Sequence, residues 1–220
     1  MRIRSTWTLL TLVLAWPGSS AAQTESTPKL ARFDVTASAG WWGSDTKDLP
    51  GDVYRNWDAA GSATLSFGTY WTEHVKTEIE FGGAGERDFY GTESLQSDRT
   101  ASRYVYREHA IATRSLSLTG LYQLLHNTWV HPFIGGGLDV DWDRHRTETE
   151  IRSFFSTPTP TSTLESQPEI VEHTVRARAA LTTGIKVYVA RRAFLRTDFR
   201  VSFTDGIDAM RWRAGAGIDF

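Results

Sequence analysis

Cysteine is missing from all 220 residues, which excludes disulfides, thiolate metal sites and a lipidated N-terminal cysteine. Long apolar runs are nearly as scarce. The longest, Leu9 to Trp16, is under half of the roughly 18 residues that a membrane-crossing helix needs. Basic charge is not in excess either: 24 Lys and Arg stand against 26 Asp and Glu, a balance that argues against a nucleic-acid partner. A GxxxxGK phosphate loop and an HExxH helix are both absent, so the usual signatures of soluble catalysis are missing and no cofactor is indicated.

What is present begins with export. Arg2 and Arg4, the apolar run to Trp16, a Pro17-Gly18 break and Ser20-Ala21-Ala22 follow the order of a secretory signal cut before Gln23. Its removal takes two of the 24 basic residues and none of the 26 acidic ones, leaving a net charge of −4. The expected organisation is a signal peptide over 1–22, a polar periplasmic lead-in over 23–30 and one domain over 31–220.

That domain alternates with a period of two. Met210, Trp212, Ala214, Ala216, Ile218 and Phe220 interleave with Arg211, Arg213, Gly215, Gly217 and Asp219, so one face is apolar and the other small or charged. Similar segments occur at Phe33–Trp41, Ala59–Tyr70, Val75–Gly82, about Tyr104–Tyr122, Val130–Trp142, Val175–Val187 and Leu195–Phe203. Between them lie polar stretches at Gly43–Trp57, Gly83–Arg103 and Arg144–Glu172, read as loops, and short turns at Thr72–His74, Leu124–Thr128 and Ala190–Ala193. The Pro-Thr run from Ser156 to Thr163 rejects regular pairing, and no strand is expected there.

Eight segments, alternately joined by long loops and short turns, predict an all-β, eight-stranded antiparallel up-and-down transmembrane barrel. Short turns face the periplasm in such barrels and long loops the exterior, so both termini are expected on the periplasmic side of a bacterial outer membrane. A soluble sandwich or lipocalin-like barrel has the same period with its apolar face inside. The signal peptide, the terminal Phe220 and the aromatic rims favour the membrane. Tyr70, Trp71, Tyr122, Trp129, Tyr188, Phe194 and Phe220 would form the inner rim, and Trp41, Trp42, Tyr104, Trp142 and Phe203 the outer one.

Parity then sends the acids Asp34, Glu78, Glu80, Asp139, Asp141, Asp198 and Asp219 into the lumen. The bases Lys76, Arg176, Arg178, Lys186, Arg196, Arg200, Arg211 and Arg213 join them. Buried charges must pair, and eight strands enclose just enough space for side chains to fill. The expected lumen is a salt-bridge plug, with a polar pore as the alternative. Arg114 is the one charge that parity places outward, in line with Leu116, Leu118 and Tyr122. Near the outer edge it would meet a lipopolysaccharide phosphate, unless a β-bulge turns it into the lumen.

Two arrangements invite sharper chemistry. Asp139, Asp141 and Asp143 have the spacing that opens a calcium loop, but the Gly at its sixth position and the closing Glu are absent, so no metal is expected. His145 and Thr147, near Glu148 and Glu150, offer a hydroxyl, an imidazole and carboxylates of the lipid A deacylase kind. Parity keeps them off the lipid-facing surface, so no enzyme is expected.

The Trp129–Gly137 segment WVHPFIGGG and the closing Trp212–Phe220 segment WRAGAGIDF, within the pattern from Ala31 to Phe220, carry a resemblance. The chain resembles the small outer-membrane barrels typified by the transmembrane domain of outer-membrane protein A and by the attachment-invasion and opacity proteins. Outward Trp212 and Ile218 with terminal Phe220 resemble the signal read by the barrel-assembly machinery. Family members include adhesins, anchors, small-solute channels and lipid A enzymes, so the resemblance implies no single activity. The expectation is a monomeric structural or surface-interaction protein whose partners are outer-membrane lipid, lipopolysaccharide, the assembly machinery and an unidentified extracellular ligand. A narrow channel or a lipid A-modifying enzyme is the alternative.

Overall fold

In the computed structural model, residues 32–45, 57–97, 101–125, 129–155 and 161–220 are described. The signal over 1–22, the lead-in over 23–30 and the Pro-Thr residues 156–160 lie outside them. The strands are β1 Phe33–Asp45, β2 Trp57–Tyr70, β3 Val75–Ser97, β4 Ala101–Gln123, β5 Val130–Phe155, β6 Thr161–Ser166, β7 Ile170–Tyr188, β8 Ala193–Phe203 and β9 Ile207–Asp219.

Each strand pairs antiparallel with its neighbour, and the order β1-β2-β3-β4-β5-β7-β8-β9 returns to β1. Closure removes the sheet edges that lipid could not satisfy. The seam is β1 against β9, with Val35 opposite Ile218 and Trp41 opposite Trp212. Phe33 N donates to Phe220 O at 3.1 Å and Phe220 N to Phe33 O at 2.9 Å, so both described ends of the chain meet at one end of the barrel. The tight turns 71–74 and 189–192 lie at that same end.

Two segments read as loops are strands. β3 and β4 continue through the Gly83–Arg103 stretch as one long hairpin, and β5 runs thirteen residues past Trp142 to Phe155. The Arg144–Glu172 stretch also holds a strand where none was expected, since β6 pairs with β5 from Glu150↔Ser166 to Phe155↔Thr161. Pro158 and Pro160 precede it and Pro168 follows it, so Thr161–Ser166 itself contains no proline and keeps every ladder donor. The result is a tall sheet of β3, β4, β5 and β6, with the start of β7 beside β5, standing above one side of the ring.

The walls approach closely at lumen-facing glycines. A Cβ on Gly137 would strike the backbone oxygen of Leu118, and one on Gly40 that of Trp212, whereas at Gly61 nothing lies within 4 Å. Small residues at such points let a narrow barrel curl.

Side chains are inverted relative to a soluble barrel. Leu65, Phe81, Leu118, Ile134, Leu138, Leu181, Leu195 and Ile218 are exposed around the outside, Phe81 at 61% and Leu138 at 59%. Inside, Asp139, Asp141, Arg200, Arg211 and Arg213 are buried to 2% exposure or less. A continuous exposed apolar belt is tolerable only against lipid.

Candidate functional site

The lumen is built by the inward phase of each strand, and its charges form a long ladder of pairs with a second, smaller set above it. At the end nearest the termini, Lys76 of β3 reaches Asp34 of β1 at 2.6 Å and Glu78 of its own strand at 2.7 Å. Lys186 of β7 reaches Asp219 of β9 at 2.7 Å and Asp34 at 3.3 Å. Two tyrosines complete this layer: Tyr70 donates to Asp34 at 2.9 Å and Tyr188 donates to Asp219.

The middle layer joins four strands. Arg196 bridges Glu78 at 2.6 Å and Asp198 at 2.8 Å. Arg213 bridges Asp198 at 2.7 Å and Glu80. Arg211 continues from Glu80, 3.6 Å away, to Asp139. Asp139 also accepts a two-pronged contact from Arg200 and the Ser202 hydroxyl at 2.7 Å. Above it, Arg178 pairs with Asp141 at 2.5 Å and Arg176 with Asp143 at 3.5 Å.

Among the described residues the buried acids are Asp34, Glu78, Glu80, Asp139, Asp141, Asp143, Asp198 and Asp219. The buried bases are Lys76, Arg87, Arg178, Lys186, Arg196, Arg200, Arg211 and Arg213. Eight therefore face eight. An unpaired buried charge costs several kcal/mol, so the numerical match and the contacts together explain why so polar an interior is stable. A small cavity of about 10 Å³, lined by Asp34, Lys76, Gln123, Phe133, Lys186 and Arg196 among others, lies within the lower layer. It has room for about one water.

Glu78, Glu80, Asp139, Asp141, Arg178, Lys186, Arg196, Asp198, Arg200, Arg211 and Arg213 are all buried in these two sets, and Arg176 is half-buried at the top. Trp212, Ile218 and Phe220 are exposed on the outer face of the seam. Arg114 is exposed between Gly83 of β3 and Trp142 of β5.

A bulge does occur beside Arg114, but on the neighbouring strand. Ala84 pairs with Thr113 and Arg87 with Ile111, so β3 carries one extra residue and its phase flips. The flip turns Arg87 inward, where it donates to Thr113 and to Ile111 O at 3.4 Å. Sequence parity missed Arg87 for that reason, although the Gly82-Gly83-Ala84-Gly85 run was a usable signal of a break in regular pairing.

The aromatic rims need correction: Tyr70 and Tyr188 turn their hydroxyls onto the lumen carboxylates Asp34 and Asp219, Tyr104 stands on the tall sheet well above the outer rim, and two further aromatics are fully internal. Trp42 does not face outward but lies fully buried in the upper lumen, its ring 4.1 Å from the guanidinium of Arg211 and 5.7 Å from that of Arg87. Desolvated cation–π contacts of this kind are worth about 2 kcal/mol. Phe194 is likewise internal, with Lys186 Nζ 3.7 Å from its ring centre.

The arrangements weighed for metal and acyl chemistry resolve into other contacts. Asp139, Asp141 and Asp143 each meet a guanidinium, as described. His145 Nε2 lies 2.9 Å from Thr174 Oγ1, while Thr147 Oγ1 lies 3.0 Å from His109 Nδ1. The hydroxyl of Thr147 is therefore taken by a different imidazole. Burial holds His145 below the usual imidazole range, and neighbouring Arg176 acts in the same direction.

On its outer side the tall sheet carries Tyr104 edge-on to Phe154, with ring centres 6.1 Å apart, and Arg152 4.9 Å from the Tyr106 ring. Phe154, Leu164 and Tyr90 are exposed. Glu108 beside Tyr90 holds its phenol above the usual range.

No protein-family model matches the sequence, and no curated protein matches it. Among solved structures, the chain is similar to the attachment invasion locus protein Ail of Yersinia pestis at 12% identity, covering 86% of this chain and 99% of that one with a TM-score of 0.46. It is similar to the N-terminal β-barrel domain of OprF of Pseudomonas aeruginosa at 13% identity, covering 87% and 100% with a TM-score of 0.46. OprG of the same organism aligns at 13% identity over 86% and 97%, with a TM-score of 0.48. The closed ring of eight strands, with charges inside and apolar side chains outside, is the fold of the small outer-membrane β-barrels expected from the sequence.

Proposed function

We propose that this chain is an outer-membrane anchor with a sealed lumen that holds the tall sheet of β3 to β7 outside the cell as an interaction surface, and that it is not an enzyme. The observation that carries this reading is the buried ladder from Asp219 and Asp34 to Asp139, capped above by the separate Arg178–Asp141 and Arg176–Asp143 pairs. Moving an ion through it requires separating pairs that are buried on both sides, at several kcal/mol for each uncompensated charge. The sheet above offers a contact surface: Tyr104, Tyr106, Arg152 and Phe154 cluster on its outer face, and aromatic and arginine side chains are enriched at recognition surfaces. The short turns and both described chain ends then lie in the periplasm.

Planar-bilayer recording of the reconstituted protein tests the reading. The expected result is no steady current at moderate voltage. A stable single-channel conductance would overturn the plug and favour the narrow channel.

A further inference from the structure

The outward surface of the barrel is apolar except on one side. Arg114 stands opposite Trp142, and Arg144 stands opposite Ala112 on the same pair of strands. The two arginines are diagonal neighbours, about 7–8 Å apart at the backbone, close enough for both guanidinium groups to reach one tetrahedral anion. Both are exposed, and no carboxylate lies within 4.0 Å of either among the described residues. His173, opposite Arg144 on β7 and exposed, adds a third nitrogen base to the same face.

Their height is specific. Arg114 lies eight residues above Tyr122 and Arg144 is level with a position ten above it, which at roughly 3.3 Å per residue and a tilt near 40° is about 20 and 25 Å. The apolar band of such barrels is about 25 Å tall. The pair therefore straddles its upper edge, directly over Leu116, Leu118, Leu138 and Val140, with Trp142 between them. The outward positions near the same rim on β1, β2, β8 and β9 hold uncharged residues such as Trp41, Gly61, Phe203 and Met210. An arginine here without a partner would face headgroups, and guanidinium groups bind phosphate bidentately.

We infer that Arg114 and Arg144 form a binding site for a phosphate carried on the headgroup of an outer-leaflet lipid, with the acyl chains lying along Leu116, Leu118 and Val140. This rests on the membrane-spanning reading above. The lipid class that fits is a phosphorylated glycolipid, because its phosphates sit directly on the headgroup at the level of the pair.

The test uses the full mature barrel folded into phosphatidylcholine vesicles, with diphosphorylated lipid A as the probe and dephosphorylated lipid A and inorganic phosphate as comparison ligands. Retention is read by native mass spectrometry after detergent exchange. Arg114→Gln with Arg144→Gln should retain at least tenfold less lipid A than the unaltered protein, with unchanged heat-modifiability on gels. Arg146→Gln, one row higher and already 3.4 Å from Glu86, should retain as much as the unaltered protein. Equal retention by the double variant would overturn the site, as would an equal loss in the Arg146 variant or equal retention of the dephosphorylated lipid. Competition by millimolar inorganic phosphate would show a free-anion site and overturn the lipid assignment. Failure of the unaltered protein to enter vesicles at all would instead refute the membrane reading.

Discussion

Asp139 on β5 and Arg200 on β8 meet across an intervening strand: Arg200 Nε donates to Asp139 Oδ2 at 3.1 Å while its Nη2 donates to Oδ1. Arg211 and Ser202 donate to the same carboxylate, which makes Asp139 the point where β5, β8 and β9 are tied together. Removing one partner of a buried pair costs about 3–5 kcal/mol, because the other charge is left uncompensated. Asp139→Asn is expected to lose about that much in urea unfolding followed in vesicles. A loss under about 1 kcal/mol, the scale of an exposed pair, would show that the ladder is not holding the wall.

The adjacent tryptophans of β1 should behave very differently. Trp42 is fully buried between two guanidinium groups, whereas Trp41 is 60% exposed on the outside. Trp42→Ala is expected to destabilise by about 3–5 kcal/mol, and Trp41→Ala by markedly less. Thermal gel-shift midpoints of the two variants check this, and equal shifts would place Trp42 on the rim after all.

Glycine tolerance should follow wall spacing. Gly137→Ala puts a methyl group against the backbone of β4 at Leu118 and Thr119, which cannot move aside, while Gly61→Ala points into open space. Folding yield into vesicles is expected to drop several-fold for the first and to stay level for the second. Equal yields would mean that the β4–β5 wall relaxes freely.

Orientation can be read with single cysteines, since the sequence has none of its own. Ser162→Cys on exposed β6 is expected to react with a membrane-impermeant maleimide on intact cells. Glu73→Cys in the turn after β2 should react only after the outer membrane is permeabilised. The reverse pattern would invert the barrel.

The alternation of Met210 to Phe220, or of Val75 to Gly82, was enough to specify strands with one apolar and one polar face, and the signal peptide, the aromatic rims and the terminal Phe220 turned the apolar face outward. Period-two patterning is local to each strand, and it is imposed wherever one face meets lipid and the other a charged lumen. Above the lipid that constraint lapses. In Gly83–Arg103 and Arg144–Glu172 the outward face meets no lipid and only a few inward residues such as Phe89 and Ile151 are buried apolar side chains, so the segments look like loops while the backbone ladder still pairs, and the β5–β6 ladder leaves no trace in hydropathy. Parity also fails past the bulge between Ala84 and Arg87, where one extra residue reverses which side chains point in. Arg87 was hidden for this reason, whereas Trp42 shares the inward phase of Asp34, Thr36 and Gly40 on β1, so alternation alone places it in the lumen. Nor could any strand alone show that Asp139 belongs to Arg200 and Arg211, or that Arg144 stands diagonal to Arg114. Those partnerships depend on the stagger with which the ring closes, and closure is a property of all eight strands at once.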